Sequence, residues 1–256
     1  MSRRLLYRSA FWEIARPRHP LTAGHVLLRL SDPSTEFAYP SATDWLLCHN
    51  LIRTALRDVL GVARCPIMFT YRWHPLGAAI GEPVAESSTP TFHLFGRGPG
   101  ETSTPGHQLL LPAHRRMGEP LERLEATDDA IREALVRARP ATAATFPDGA
   151  STAVEPVLQP GALVELTDSG PNHAVIQPIR AVESIGDVSP AELLAVGAAL
   201  GALPVAGGLS GFSCIALEST GNGVPVRVHA LGRSAAEEAN PLEALLCSPE
   251  VSLALL

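Results

Sequence analysis

Two short stretches of this 256-residue chain share an ending. Phe92-His93-Leu94-Phe95-Gly96-Arg97 and Val228-His229-Ala230-Leu231-Gly232-Arg233 each place a histidine in an apolar run with an arginine four residues later. An imidazole moves protons near neutral pH and binds metals. A guanidinium grips anions through paired N–H groups. A second concentration is Tyr71-Arg72-Trp73-His74, just before a Gly/Pro loop. Its rings could stack a planar ligand while Arg72 holds an anionic group. Glu82 and Glu86 lie on the approach to His93, where a carboxylate could orient the ring or share its proton. His93, His74 and Glu86 are therefore the catalytic candidates. Arg72, Trp73, Tyr71, Arg97 and His25 are the candidates for substrate contact. Each has a plainer reading: a hydrogen-bonded structural histidine, a strand end with amphipathic side chains, a polar loop, a structural ion pair. His74, His93 and Glu86 together would suit zinc or ferrous iron, a minority reading that leaves a divalent metal as the one cofactor to consider.

The elements that must position these residues occur in a repeated order. His25 and His173 each head a short apolar stretch, Gly24–Leu30 and Asn172–Pro178. A helix follows in both. In the first, Ser41 with Asp44 three residues on reads as a capped start, Trp45 to Leu60 recur at helical spacing, and Gly61 stops it. In the second, Ser189, Pro190 and Glu192 spell cap, first turn and capping box. Strands at Cys65–Tyr71 and Gly211–Leu217 come next, and the histidine strands close each unit. Three regions follow: a repeat over 1–97, a connector over 98–161, and a second repeat over 162–256. The connector is expected to hold a short strand at Gln108–Pro112, a helix at Thr127–Ala138 and an Ala/Thr/Pro/Gly linker from Arg139 to Gly161. A last helix is expected near Ala236–Cys247, with the apolar tail Val251–Leu256 docked on the core.

Pro20-Leu21-Thr22-Ala23-Gly24-His25-Val26-Leu27-Leu28 and Thr89-Pro90-Thr91-Phe92-His93-Leu94-Phe95-Gly96-Arg97 resemble the two motif strands of the histidine triad superfamily. The duplicated layout is similar to the branch that includes galactose-1-phosphate uridylyltransferase and diadenosine tetraphosphate phosphorylase. The resemblance implies an α+β fold of two HIT-like repeats, mostly antiparallel, with helices on one face and a pseudo-twofold between repeats. It also sets what is missing. With His93 as the third histidine of the triad, Thr89 and Thr91 occupy the first two positions. With His229 there, Pro225 and Arg227 do. The family's middle histidine carries the nucleotidyl group. Threonine is a far poorer nucleophile without an adjacent base, and arginine is permanently protonated. Thr91 thus joins the substrate-binding candidates, and the triad is degenerate. The zinc site of the uridylyltransferase branch has no counterpart.

Composition narrows the rest. All 20 basic residues are arginine, which excludes Schiff-base lysine chemistry and a Walker lysine. Residues 1–139 hold 17 arginines against 14 acids, and residues 140–256 hold 3 against 12. A net charge of −6 argues against a nucleic-acid partner. Cys48, Cys65, Cys214 and Cys247 form no Cys-x-x-Cys pair and read as reduced thiols. The N-terminus lacks the apolar run of a secretory signal and no stretch is long enough to span a membrane, so a cytoplasmic protein is expected. The leading expectation is a HIT-like enzyme using acid/base chemistry on a nucleotide, phosphate ester or similar small anion. The alternatives are a metal-dependent tailoring enzyme of specialised metabolism and a non-catalytic binding protein. A homodimer is compatible with all three.

Overall fold

The computed structural model describes residues 4–72, 91–99, 101, 103–112, 115–116, 120–145, 163–170, 172–203, 208–219, 224–234, 236–237, 241–249, 251 and 255. Among them, nine strands form one antiparallel sheet. These are β1 (Arg4–Arg8), β2 (Trp12–Arg16), β3 (His25–Leu30), β4 (Ile67–Tyr71), β5 (Thr91–Phe95), β6 (Val164–Gly170), β7 (His173–Pro178), β8 (Leu209–Leu217) and β9 (Arg227–Ser234). Their order is β1-β2-β3-β5-β4-β8-β9-β7-β6. From the central β4–β8 pair outwards the two sides run in matching order, β4-β5-β3-β2 on one and β8-β9-β7-β6 on the other. At the centre Met68 lies opposite Ile215. Met68 also pairs with His93, and Ile215 with His229.

The helices are α1 (Tyr39–Leu60), α2 (Pro105–Leu110), α3 (Leu121–Thr145), α4 (Pro190–Ala202) and α5 (Pro241–Leu246), with a 3₁₀ turn at Ile185–Asp187. Helix α4 starts as its sequence dictates: Ser189 Oγ accepts from Glu192 N–H at 3.2 Å, and the Glu192 carboxylate accepts from Ser189 N–H at 2.8 Å. Helix α1 starts earlier than expected. Ser41 is not its cap; it sits inside the first turn and accepts from Ala38 N–H at 2.9 Å. Asp44 instead accepts from Ser9 Oγ and Phe11 N–H. The helix stops at Gly61, whose φ of 67° favours glycine. The stretch around Gln108 is helical rather than extended, because Thr104 caps it and Pro105 presets its first turn. Helix α3 runs well past both expected ends.

Because side chains alternate along strands, the sheet has two distinct faces. One carries Trp12, Ile14, Val26, Leu28, Ile67, Leu94, Cys214 and Ala230, and packs with residues of α1, α3 and α4 into the main core. The other carries Leu27, Met68, Phe95 and Ile215. It is capped by Leu109 of α2, Leu242, Leu245 and Leu246 of α5, and Val251 and Leu255 of the tail. Helices therefore cover both faces, in place of the single face expected, because the C-terminal segment folds back over the first half. Helix α1 also clasps the second half. Arg53 pairs with the buried Glu218 carboxylate, which accepts from Cys65 N–H at 2.7 Å and Ile185 N–H at 3.1 Å. Asn50 donates to Gly186 O at 3.1 Å.

Candidate functional site

Both motif histidines point to the second face, and in both halves they meet their partner from the neighbouring strand. His25 Nε2 is 3.2 Å from His93 Nδ1, and His173 Nε2 is 3.0 Å from His229 Nδ1. The turn before each pair is also shared. Gly96 N–H donates to Gly24 O at 2.9 Å, and Gly232 N–H donates to Asn172 O at 2.6 Å. Gly24 must be glycine, since a Cβ there would stand 2.4 Å from Gly96 O. Asn172 holds the matching place with φ 62°, a conformation asparagine tolerates.

The first-half pair is sealed. His25 and His93 are both 0% exposed, and His93 stands between Leu27 and Met68 in the capped cluster. The direction of the proton chain follows from one backbone contact. His25 Nδ1 accepts from Leu21 N–H at 3.2 Å, so its own proton is on Nε2 and is donated to His93 Nδ1. The His93 proton is then on Nε2, which is buried and has no hydrogen-bond partner among the described residues. Burial holds the His93 pKa down to about 3. Burial, His93 and the Arg16 charge hold His25 well below the usual histidine range. Both rings are thus neutral at physiological pH. The His25 ring also stacks on Phe95 at 4.2 Å.

Arg16 fixes this corner. It donates to Ala23 O at 2.6 Å and His25 O at 2.9 Å, and its Nε pairs with Asp128 of α3 at 2.9 Å, both side chains buried. Sequence reasoning passed over this pair. Its signal was an acid on an apolar helix face, with Ile131 and Leu135 three and seven residues after Asp128. A polar row crosses the sheet face that carries His25 and His93, farther up the strands. Glu13, buried, pairs with both Arg8 and Arg29, and Arg29 lies opposite the half-buried Thr91. Another missed residue is His49 of α1. It is fully buried, stacked on Trp45 at 5.4 Å, and neither ring nitrogen has a hydrogen-bond partner among the described residues.

The other expected contacts separate. Arg97 is buried and donates to Leu255 O at 3.2 Å and Ser103 O at 2.6 Å, with Glu101 at 3.0 Å; it holds the tail in place instead of facing a ligand. Arg233 donates to Ser213 Oγ and pairs with Glu237. Tyr71 shares the main-core face with Ile67 and Phe69, opposite His93, because strand parity separates it from Met68. The exposed Arg72 guanidinium sits 5.1 Å over the Tyr71 ring, in a residue with φ 52°. Trp73, His74, Glu82, Glu86 and Thr89 lie outside the described residues. Among the described residues no group of three His, Cys, Asp or Glu side chains is placed to hold a metal ion, and no helix is long and apolar enough to cross a membrane.

No family model and no curated protein matches the chain. Among solved structures it is similar to histidine triad proteins, a GalT-like protein and an ADP-glucose phosphorylase. A hypothetical histidine triad nucleotide-binding protein from Sulfolobus tokodaii matches at 13% identity and a TM-score of 0.38, covering 54% of this chain and 87% of that one. A GalT-like protein from Arabidopsis thaliana matches at 10% identity and 0.47, covering 92% and 80%. An ADP-glucose phosphorylase from Arabidopsis thaliana, with bound ADP-glucose, matches at 9% identity and 0.44, covering 90% and 74%.

Proposed function

We propose that this protein is a HIT-like enzyme acting on a small anionic ligand, a nucleotide, sugar phosphate or other phosphate ester, without a nucleotidyl-histidine intermediate. The observation that carries this reading is the orphaned Nε2–H of His93. A buried donor without an acceptor costs about 1–3 kcal/mol. A ligand oxygen supplies the missing acceptor. With Nδ1 engaged by His25 and the ring held neutral, His93 serves as a hydrogen-bond donor to that oxygen and not as a base. Thr91 lies two residues up the same strand face, about 7 Å away. It has the Arg8–Glu13–Arg29 row beside it, which carries one net positive charge and favours an anion at the rim. His74, Glu86, Trp73 and Arg72 stay in this reading as candidates on their sequence alone.

The proposal includes an origin by duplication, with the two halves related by a half-turn between Met68 and Ile215. The repeated strand order, the matching histidine pairs and the Gly24 and Asn172 turns support it. The complete burial of His25 and His93 favours one other reading, a non-catalytic binding protein. Calorimetric titration with ATP, UMP and glucose 1-phosphate tests the first reading. Binding is expected, and His93→Phe, which keeps the bulk and loses the donor, should weaken it at least tenfold. No binding by any of the three ligands removes the proposal. Binding with no turnover selects the second reading.

A further inference from the structure

Arg16 is the last residue of β2. Strand parity sets it on the main-core face with Trp12 and Ile14, away from the face that carries the His25 and His93 rings. It reaches the histidines through the backbone instead. Its Nη1 donates to Ala23 O at 2.6 Å and to His25 O at 2.9 Å, and so staples the turn that leads into β3. The same turn aims Leu21 N–H at His25 Nδ1, the contact that puts the proton of each ring on Nε2. The guanidinium is itself anchored by Asp128, which accepts from Arg16 Nε at 2.9 Å with both side chains buried. Asp128 belongs to α3 and lies outside both motif strands.

The second half fills the matching place differently. Continuing the Ala15–Leu27 register sets Arg16 opposite Val26, next to His25, whereas the residue opposite Ala174, next to His173, is Asp168. Asp168 is exposed and accepts from Gly170 N–H at 3.0 Å. A carboxylate has no N–H with which to hold a carbonyl.

We infer that Asp128 and Arg16 are positioning residues for the His25–His93 pair: anchored by Asp128, Arg16 holds the turn that decides which nitrogen of each ring carries the proton. The inference rests on the reading of His93 as a donor to a ligand oxygen and says what keeps that donor in place. With the turn released, a second proton direction opens. His25 then holds its proton on Nδ1 and accepts at Nε2 from His93 Nδ1–H. Neither ring changes charge, but His93 Nε2 loses its proton and becomes an acceptor, which repels an anionic oxygen.

The test is ring-nitrogen NMR on the full chain without ligand at pH 7.5, where both rings are neutral. Protonated and bare ring nitrogens differ widely in shift. The parent should show His93 in the Nε2–H form alone. Asp128→Asn, which keeps the shape and removes the charge, should bring the Nδ1–H form of His93 to at least a quarter of the molecules. Leu200→Ala opens a cavity in the core under α4, so it loosens the fold without touching the turn, and should leave the parent pattern. An unchanged pattern in Asp128→Asn, or an equal change in Leu200→Ala, would overturn the inference. If Asp128→Asn does not fold, Arg16→Lys replaces it with the same expected change, since lysine keeps the charge for Asp128 and loses the fork. A parent with His93 protonated at Nδ1 overturns the inference and the donor reading together. Absence of ligand binding with the parent pattern in place overturns the donor reading alone.

Discussion

In the first half the paired rings of His25 and His93 lie under α2, α5 and the C-terminal tail. In the second, the paired rings of His173 and His229 remain half-exposed. The strands, the pairing and the preceding turn agree between the halves. The cover differs, and it comes from chain segments outside both motif sets. Arg97 shows how it is held: the guanidinium that ends β5 binds the carbonyl of Leu255, whereas Arg233 at the end of β9 binds Ser213 and Glu237. The chemistry open to a histidine is therefore set less by its own strand than by what the rest of the chain lays over it. A sealed imidazole is a neutral donor, whereas an open one can also exchange its proton with solvent.

The comparison can be broken most forcefully at Asp128. Asp128→Ala leaves Arg16 charged and buried beside His25, so the first half should lose about 3–5 kcal/mol of stability by urea denaturation. Arg180→Ala, which removes the exposed partner of Glu192, should cost less than about 1 kcal/mol. Equal costs would mean that the corner is not as dry as its burial implies.

Next comes pH. Burial holds His93 down to about 3 and His49 to about 4, with His25 also depressed. The unfolded chain takes up these protons near pH 6.5 and the folded chain does not. Stability is therefore full above pH 6.5 and declines as pH falls from there towards 4, at about 1.4 kcal/mol per pH unit for each ring. His49→Leu should make the fall in Tm between pH 7.5 and pH 5 shallower. An unchanged slope would show that His49 takes up its proton without unfolding.

Chemical access gives a smaller and more local contrast. Diethylpyrocarbonate, followed by mass spectrometry, should modify His173 and His229 at least tenfold faster than His25 and His93 in the native protein. Similar rates would mean that the tail leaves its seat readily. A small effect is expected at the start of α4, where Ser189→Ala should cost about 1 kcal/mol.

The sequence exposed those parts of the fold whose causes are local. Ser189, Pro190 and Glu192 mark the start of α4 because cap, first turn and capping box fall within four residues. Gly61 marks the end of α1 for the same reason. Ser41 misled because a hydroxyl can bond backwards from inside the first turn as readily as it can cap. Strands β1, β2 and β6 went unread; β1 and β6 are edge strands, and the run Val164–Gly170 is largely polar. The histidine pairs could be anticipated as neighbours on matching strands. The burial of one pair could not, because its cover arrives from residues 241–255, far along the chain. The partnership of Arg16 with Asp128 was hidden in the same way.

The junction at β4 and β8 decides what a cut in the chain would do. Those strands share a backbone ladder from Ile67–Ala216 to Tyr71–Phe212, and Glu218 adds a polar latch to α1. Severing the polypeptide between Thr145 and Leu163 breaks none of these bonds. The two fragments should copurify when produced together, while either alone would bare a central strand edge and precipitate. The same geometry makes the protein a candidate scaffold for a split reporter, in which reassembly registers the meeting of two fused partners.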